Sequence, residues 1–254
     1  MKTTKFSFKT NASDLNFDFV FIVGDLTYQV NKYIAYSQCS SVRNQFLCDA
    51  SCSSYRIELS DPSHSFQFVI DLLQDPDLGF HELVKDYESL DINFLRLVAV
   101  DLQFNRLTEM ISPVIISNLN NLISLNNLES FRNIYDYSPE SYIQICQPEL
   151  NYISQNFSEF SNEFERLSKL PVEALDSILM DPDLNADDNT ILKFVFQATK
   201  ANSGNNSYFA LFAHVLYDNI ETDKAKTFFQ YIKGHEISGA LWLSITRRLK
   251  CDVI

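Results

Sequence analysis

The sequence predicts a mixed α+β amino-terminal half followed by an all-α half. Three observations carry that expectation. Phe17, Phe19, Phe21 and Val23 alternate along one face, and Leu26, Tyr28 and Val30 alternate back after Gly24-Asp25, the pattern of a hairpin closed by a two-residue turn. Apolar residues then recur at helical spacing, and from Pro139 onward no strand pattern is present. Only 5 glycines occur in 254 residues, against 21 Phe and 12 Tyr, so sharp loops are few and helix is favoured.

Each element has its own signal. Val20 and Ile22 put apolar residues on the second face of the first strand as well, which predicts burial on both sides. A third strand is expected over Tyr55–Leu59, where Tyr55, Ile57 and Leu59 share a face. A short helix is expected over Asn31–Ser37, and Ser41 is placed as the cap of a helix through Val42 and Phe46. Asp61-Pro62 precedes the stripe Phe66, Val69, Leu72 and Leu73, and Asp91 caps the stripe Leu95, Val98, Ala99 and Leu102. Leu107, Met110 and Ile111 make a shorter stripe, and the Asn- and Leu-rich stretch from Ile111 to Tyr137 is read as short linking helices. In the second half, Pro148 is expected to open a helix running to about Leu167, and Pro171 and then Asp187 or Asp188 to open the next two. Phe209, Phe212, Ala213, Leu216 and Ile220 form the most regular stripe of the chain, and Thr222 is placed as the cap of a helix over Asp223–Ile232. Leu241, Ile245 and Leu249 form a last stripe. The resulting division is residues 1–112, a linker over 113–138, and residues 139–254.

Composition narrows function. The net charge is −13, from 20 Lys and Arg against 33 Asp and Glu. Nucleic acid and anionic membrane surfaces both need clustered cations, so neither is an expected partner. The first residues, MKTTKFSFKT, carry lysines with no apolar run behind them, so no secretory signal is read there. No stretch reaches the ~18–20 apolar residues of a membrane-crossing helix. The expected location is therefore cytoplasmic or nuclear, with the 5 cysteines reduced. In that setting the sequons at Asn11, Asn156 and Asn205 are chance matches.

Chemistry-bearing motifs are missing from the sequence. The glycines are dispersed, so neither a phosphate-cradling loop nor a nucleophile elbow can be written. His64, His81, His214 and His235 stand apart from one another, and Cys48-x-x-x-Cys52 is half of a metal site without its other half. His214, beside Phe212 and Leu216, reads as a core or boundary residue. No catalytic residue, metal or cofactor is expected. Arg247, Arg248 and Lys250 suit the negative end of a final helix dipole.

The run DFVFIVGDLTYQVNKYIAYSQCSSVRNQF (Asp18–Phe46) resembles the opening of a BTB/POZ domain. Asp18, Val23, Gly24, Val30, Lys32, Ser41 and Phe46 fall on that family's pattern, and the resemblance spans about Ser13 to Met110. Asn31 stands where the family carries histidine. Leu170-Pro171-Val172-Glu173-Ala174-Leu175, followed by Leu179 and Asp183-Leu184, looks similar to a BACK domain, the helical companion of many BTB domains. The tail Glu236–Leu249 resembles the end of BTB–BACK proteins from lineage-expanded families.

The resemblance implies a small mixed sheet flanked by helices, then a helical domain, in a protein-interaction adaptor or scaffold rather than an enzyme. The implied partners are a second copy or another BTB protein, and a cullin scaffold of a ubiquitin ligase. It also implies that Asp18 and Lys32 lie close together in a charged pocket at a dimer surface, where the pair either receives a partner peptide or holds the domain. Phe6 and Phe8 alternate in KFSFK, a strand that either passes between subunits of a dimer or packs on its own sheet in a monomer. The cullin-recruiting hydrophobic-x-Glu motif has its nearest match in Leu47-Cys48-Asp49, with Asp replacing Glu. Three functions follow as alternatives: a cullin-linked adaptor, a cullin-independent scaffold, and an enzyme without a recognisable signature.

Overall fold

The computed structural model describes residues 16–75 and 90–231, with 242, 245 and 246. Phe6, Phe8, Arg247, Arg248 and Lys250 lie outside them. The chain divides into two compact units, Met1–Ile115 and Ile116–Ile254. Its architecture is mixed α+β, with a small sheet and many helices.

The first unit is built on a three-stranded sheet in the order β2-β1-β3. β1 (Phe19–Val23) and β2 (Leu26–Val30) pair antiparallel, from Phe19 opposite Val30 to Val23 opposite Leu26. Gly24 turns between them at φ +56°, where a side chain would be strained, and a Cβ there would also stand 3.3 Å from the Leu59 carbonyl. β3 (Ser54–Ile57) runs parallel to β1. A parallel pair needs a crossover, and α1 (Lys32–Gln38) with α2 (Ser40–Cys48) supplies it. α3 (Phe66–Gln74), α4 (Ile92–Leu102) and α5 (Asn105–Ser117) follow.

Phe19, Phe21 and Val23 are buried, whereas Val20 and Ile22 are half-buried. β1 is thus covered fully on one face only, the face of Phe19, Phe21 and Val23, where Phe66 of α3 packs. Phe21 meets Phe19 and Phe66 edge-on, each at 5.4 Å between ring centroids, and Tyr28 meets Phe66 at 4.9 Å. The buried Asp61 carboxylate accepts the N–H groups of Ser65 and Phe66, both at 2.8 Å, and so caps α3 from a preceding turn that holds Pro62. Asp91 caps α4 through the Phe94 N–H at 3.0 Å. Ser41 proves to lie inside α2, where its hydroxyl donates to the Asp101 carbonyl at 2.6 Å. Cys39 takes the cap position without a side-chain bond.

Among the described residues of the second unit the regular elements are helices. α6 (Asn121–Ser130) and α7 (Arg132–Tyr135) pack on α8 (Pro139–Gln155). Pro139, not Pro148, opens α8, with Ser138 as its cap, and Pro148 sits inside the helix. A 3-10 turn (Phe157–Glu163) and α9 (Phe164–Leu167) complete the segment that the sequence reads as one helix. α10 (Val172–Met180) follows Pro171, and α11 (Asp188–Ala201) follows Asp187, whose carboxylate accepts the Thr190 N–H at 2.6 Å. Phe157, Phe164 and Phe194 meet pairwise at 5.2–5.5 Å.

The regular stripe over 209–220 does not make an α-helix. It forms a 3-10 turn (Asn206–His214) and a shorter one (Tyr217–Asn219), before α12 (Thr222–Tyr231). The physical reason lies in α11: the Asp188 carboxylate takes the Leu216 N–H at 2.9 Å and the Asn219 amide at 2.8 Å. These tertiary bonds hold the chain in tight turns, and Phe212 and Tyr217 still reach the core. His214 pairs with Asp176 at 2.7 Å at the unit's half-buried margin. No helix of the described residues is long and apolar enough to cross a membrane.

Candidate protein-docking face

Hairpin register assembles the candidate site. Phe19 opposite Val30 ends the ladder, so the residues just before β1 meet those just after β2. Asp18 Oδ1 accepts the backbone N–H of Lys32 at 2.9 Å, and the Asn31 amide donates to the Asn16 carbonyl at 2.9 Å. Asn31 is buried and caps α1, its side-chain oxygen accepting the N–H groups of Tyr33 at 3.0 Å and Ile34 at 3.3 Å. An asparagine thus supplies both the donor and the acceptors that this junction needs. A carboxylate at the first residue of α1 also meets the positive end of that helix.

Lys32 reaches the other way. Its ammonium donates to the Ala50 carbonyl at 3.1 Å and lies 3.8 Å from the centroid of the Phe46 ring, a cation–π contact. Tyr36 packs edge-on against Phe46 at 5.7 Å. The structure brings Asp18 and Lys32 together, yet through a main-chain bond rather than between their charged ends. Asp18 is exposed, not part of a buried ion pair. One lysine therefore ties the hairpin to α1 and to the end of α2.

Leu47 and Asp49 follow directly. Leu47 is 72% exposed on the last turn of α2. Asp49 ends that helix, and its Oδ1 accepts the Ser51 N–H at 2.9 Å and the Ser51 hydroxyl at 2.6 Å. Those two bonds from Ser51 hold the Asp49 carboxyl below the usual carboxylate value, with Lys32 adding to the shift.

Two further residues complete the face. Phe17 is 52% exposed and Tyr33 is 75% exposed. With Leu47 they are the exposed large apolar side chains among the described residues of this unit. Each is the chain neighbour of a member of the Asp18–Lys32–Phe46 set. Period-2 reasoning puts Phe17 on the buried face, but the strand begins only at Phe19. Tyr33 escapes notice because α1 has 7 residues, too few for a stripe to show which face is outward.

Among the described residues, no group of three His, Cys, Asp or Glu is placed to hold a metal ion. Cys52 donates its thiol to the Ser54 carbonyl at 3.0 Å. Known protein-family models and curated proteins contain no match to this chain.

Proposed function

We propose that the chain is a protein-interaction module, a BTB/POZ-like unit followed by a BACK-like helical unit, that works as a self-associating adaptor or scaffold. The observation that carries this reading is the exposure of Phe17, Tyr33 and Leu47, each next in the chain to a residue of the Asp18–Lys32–Phe46 junction. Exposed apolar area is unfavourable by ~25 cal/mol per Å², and side chains carried on capped, hydrogen-bonded elements give a partner a rigid surface. An apolar centre with Asp18 and Asp49 at its rim is the usual make-up of a docking patch. A small mixed sheet flanked by helices, with a helical unit after it, is also what the family resemblance leads one to expect. The mechanism is surface complementarity without bond chemistry.

The state of Asp49 favours the cullin-independent form of this reading. Its Oδ1 accepts twice from Ser51, which fixes the direction the carboxylate faces, and aspartate is one methylene shorter than the glutamate of the recruiting motif. A pull-down with a cullin scaffold, with and without Asp49→Ala, separates the two forms. Capture that Asp49→Ala abolishes makes the chain a cullin-linked adaptor. Self-association is tested by light scattering at about 100 µM, a hundredfold above a micromolar Kd. The wild-type chain is expected to be dimeric or larger, and Tyr33→Asp with Leu47→Asp to be monomeric at unchanged Tm. A monomeric wild type, or a double variant that assembles as well, overturns self-assembly through this face.

A further inference from the structure

In the second unit, α8 and α10 lie side by side and run in the same direction. The Ser154 hydroxyl donates to the Ile178 carbonyl at 3.1 Å, and the Asn185 N–H donates to the Ser154 carbonyl at 2.9 Å. Between the two helices lie adjoining cavities of about 430 and 570 Å³ with Gln147 and Glu173 in both linings, taken together as a groove. Its first part is apolar, walled by Pro139, Ile143 and the stems of Gln144 and Gln147. At its far part stands Met180, 66% exposed at the end of α10. Methionine in such a place adapts to varied apolar shapes. The α8 wall spans about 24 Å from Pro139 to Gln155 at ~1.5 Å per residue, room for a helix of about four turns.

The groove's charge has one sign. Glu140, Glu173, Asp176, Asp181 and Asp183 line it, and no lysine or arginine does so among the described residues. Glu173 accepts the Tyr135 hydroxyl at 2.6 Å, and Asp181 accepts the Asp183 N–H at 2.8 Å. Asp176 meets His214. The bonds to Glu173 and Asp181 orient those carboxylates without bringing a cation to them. The acids are strung along the groove rather than gathered at one point, which suits an elongated cation and not a single metal ion.

We propose that this groove is a second docking surface, independent of the Lys32 face, and that its occupant is a basic amphipathic helical segment of a partner protein. Apolar side chains of that segment seat on Ile143 and Met180, and its lysines and arginines face Glu140, Asp176 and Asp183. This is the helix-in-groove mode of recognition, with complementary charge setting choice of partner and rate of encounter.

The test is fluorescence anisotropy on the full chain with a labelled 16-residue Leu/Lys/Arg helix of amphipathic pattern. The comparison peptides are a scramble of the same composition and a Leu/Glu counterpart. The basic amphipathic peptide is expected to bind in the micromolar range, at least tenfold tighter than either comparison. Glu140→Lys with Asp183→Lys, both exposed positions, is expected to weaken binding at least tenfold, as is Met180→Glu, with circular dichroism unchanged. Equal binding of the scramble overturns the proposal in favour of nonspecific charge attraction. No saturable binding, or full binding by both variants, also overturns it. So does a wild-type dimer that Met180→Glu dissociates, which would give the groove to a second copy of the chain.

Discussion

Asp49 shows how much one side chain's surroundings matter to the proposed docking face. Ser51 donates twice to its carboxylate, which favours the charged form and depresses the folded-state pKa. A group depressed in this way contributes its stability above the unfolded value and loses it as pH falls through the folded value. The turn over Asp49–Cys52 should therefore hold at neutral pH and loosen only below the ordinary carboxylate range. NMR titration of the Asp49 carboxyl carbon and the Ser51 amide should give one shared midpoint in that acid range, and Ser51→Ala should raise it. An Asp49 that titrates at the ordinary carboxylate value in both proteins contradicts the account. The sequence names Asp49 as the nearest match to a motif, but it does not disclose Ser51 as its partner. That pairing comes from the turn, not from the spacing of apolar residues. Lys32 makes the same point: the family resemblance puts it beside Asp18, and only the fold sends its ammonium to Ala50 and Phe46.

Elements whose ends carry their own chemistry are the ones the sequence locates well. Asp91 and Asp187 each accept a backbone N–H at the start of a helix, and each is readable as a cap before an apolar stripe, whereas Asn31, read as the first residue of its helix, proves to be the cap of α1. Asp187→Ala should cost about 1 kcal/mol, measured by urea denaturation at neutral pH. Gly24→Ala should cost about 1–2 kcal/mol, since alanine must adopt left-handed backbone while its Cβ approaches Leu59. A neutral Gly24→Ala would mean that the hairpin turn differs from the one described. Reading fails where local pattern and tertiary bonds disagree. The 209–220 stripe has helical spacing, yet Asp188 claims the Leu216 N–H and breaks the ladder. Pro148 reads as an opening proline, yet it lies inside α8, where the buried Tyr142 and Ile145 before it and Leu150 and Ile153 after it belong to one helix face. Packing along that face outweighs the bond that proline removes.

Across the whole molecule the net charge of −13 gives the two proposed surfaces opposite responses to salt. Self-association of like-charged copies through an apolar face works against repulsion, which salt screens over a Debye length of about 8 Å at 0.15 M. Raising the ionic strength from about 0.05 to 0.3 M should therefore strengthen self-association in light scattering. The same change should weaken the basic peptide in the α8–α10 groove, where opposite charges attract. Salt responses of the same sign would refute the assignment of one surface as apolar and the other as electrostatic.

The division between what was legible and what was not follows from range. Alternation, caps and helical stripes act over a few residues, so the sequence by itself determined a hairpin and third strand in the first half, the helical character of the second half's described residues, and a net charge of −13. The parallel setting of β3, the exposure of Phe17 and Tyr33 and the α8–α10 groove were decided only in three dimensions. Each depends on which residues distant in the chain come within hydrogen-bonding or packing distance, and no local periodicity encodes that.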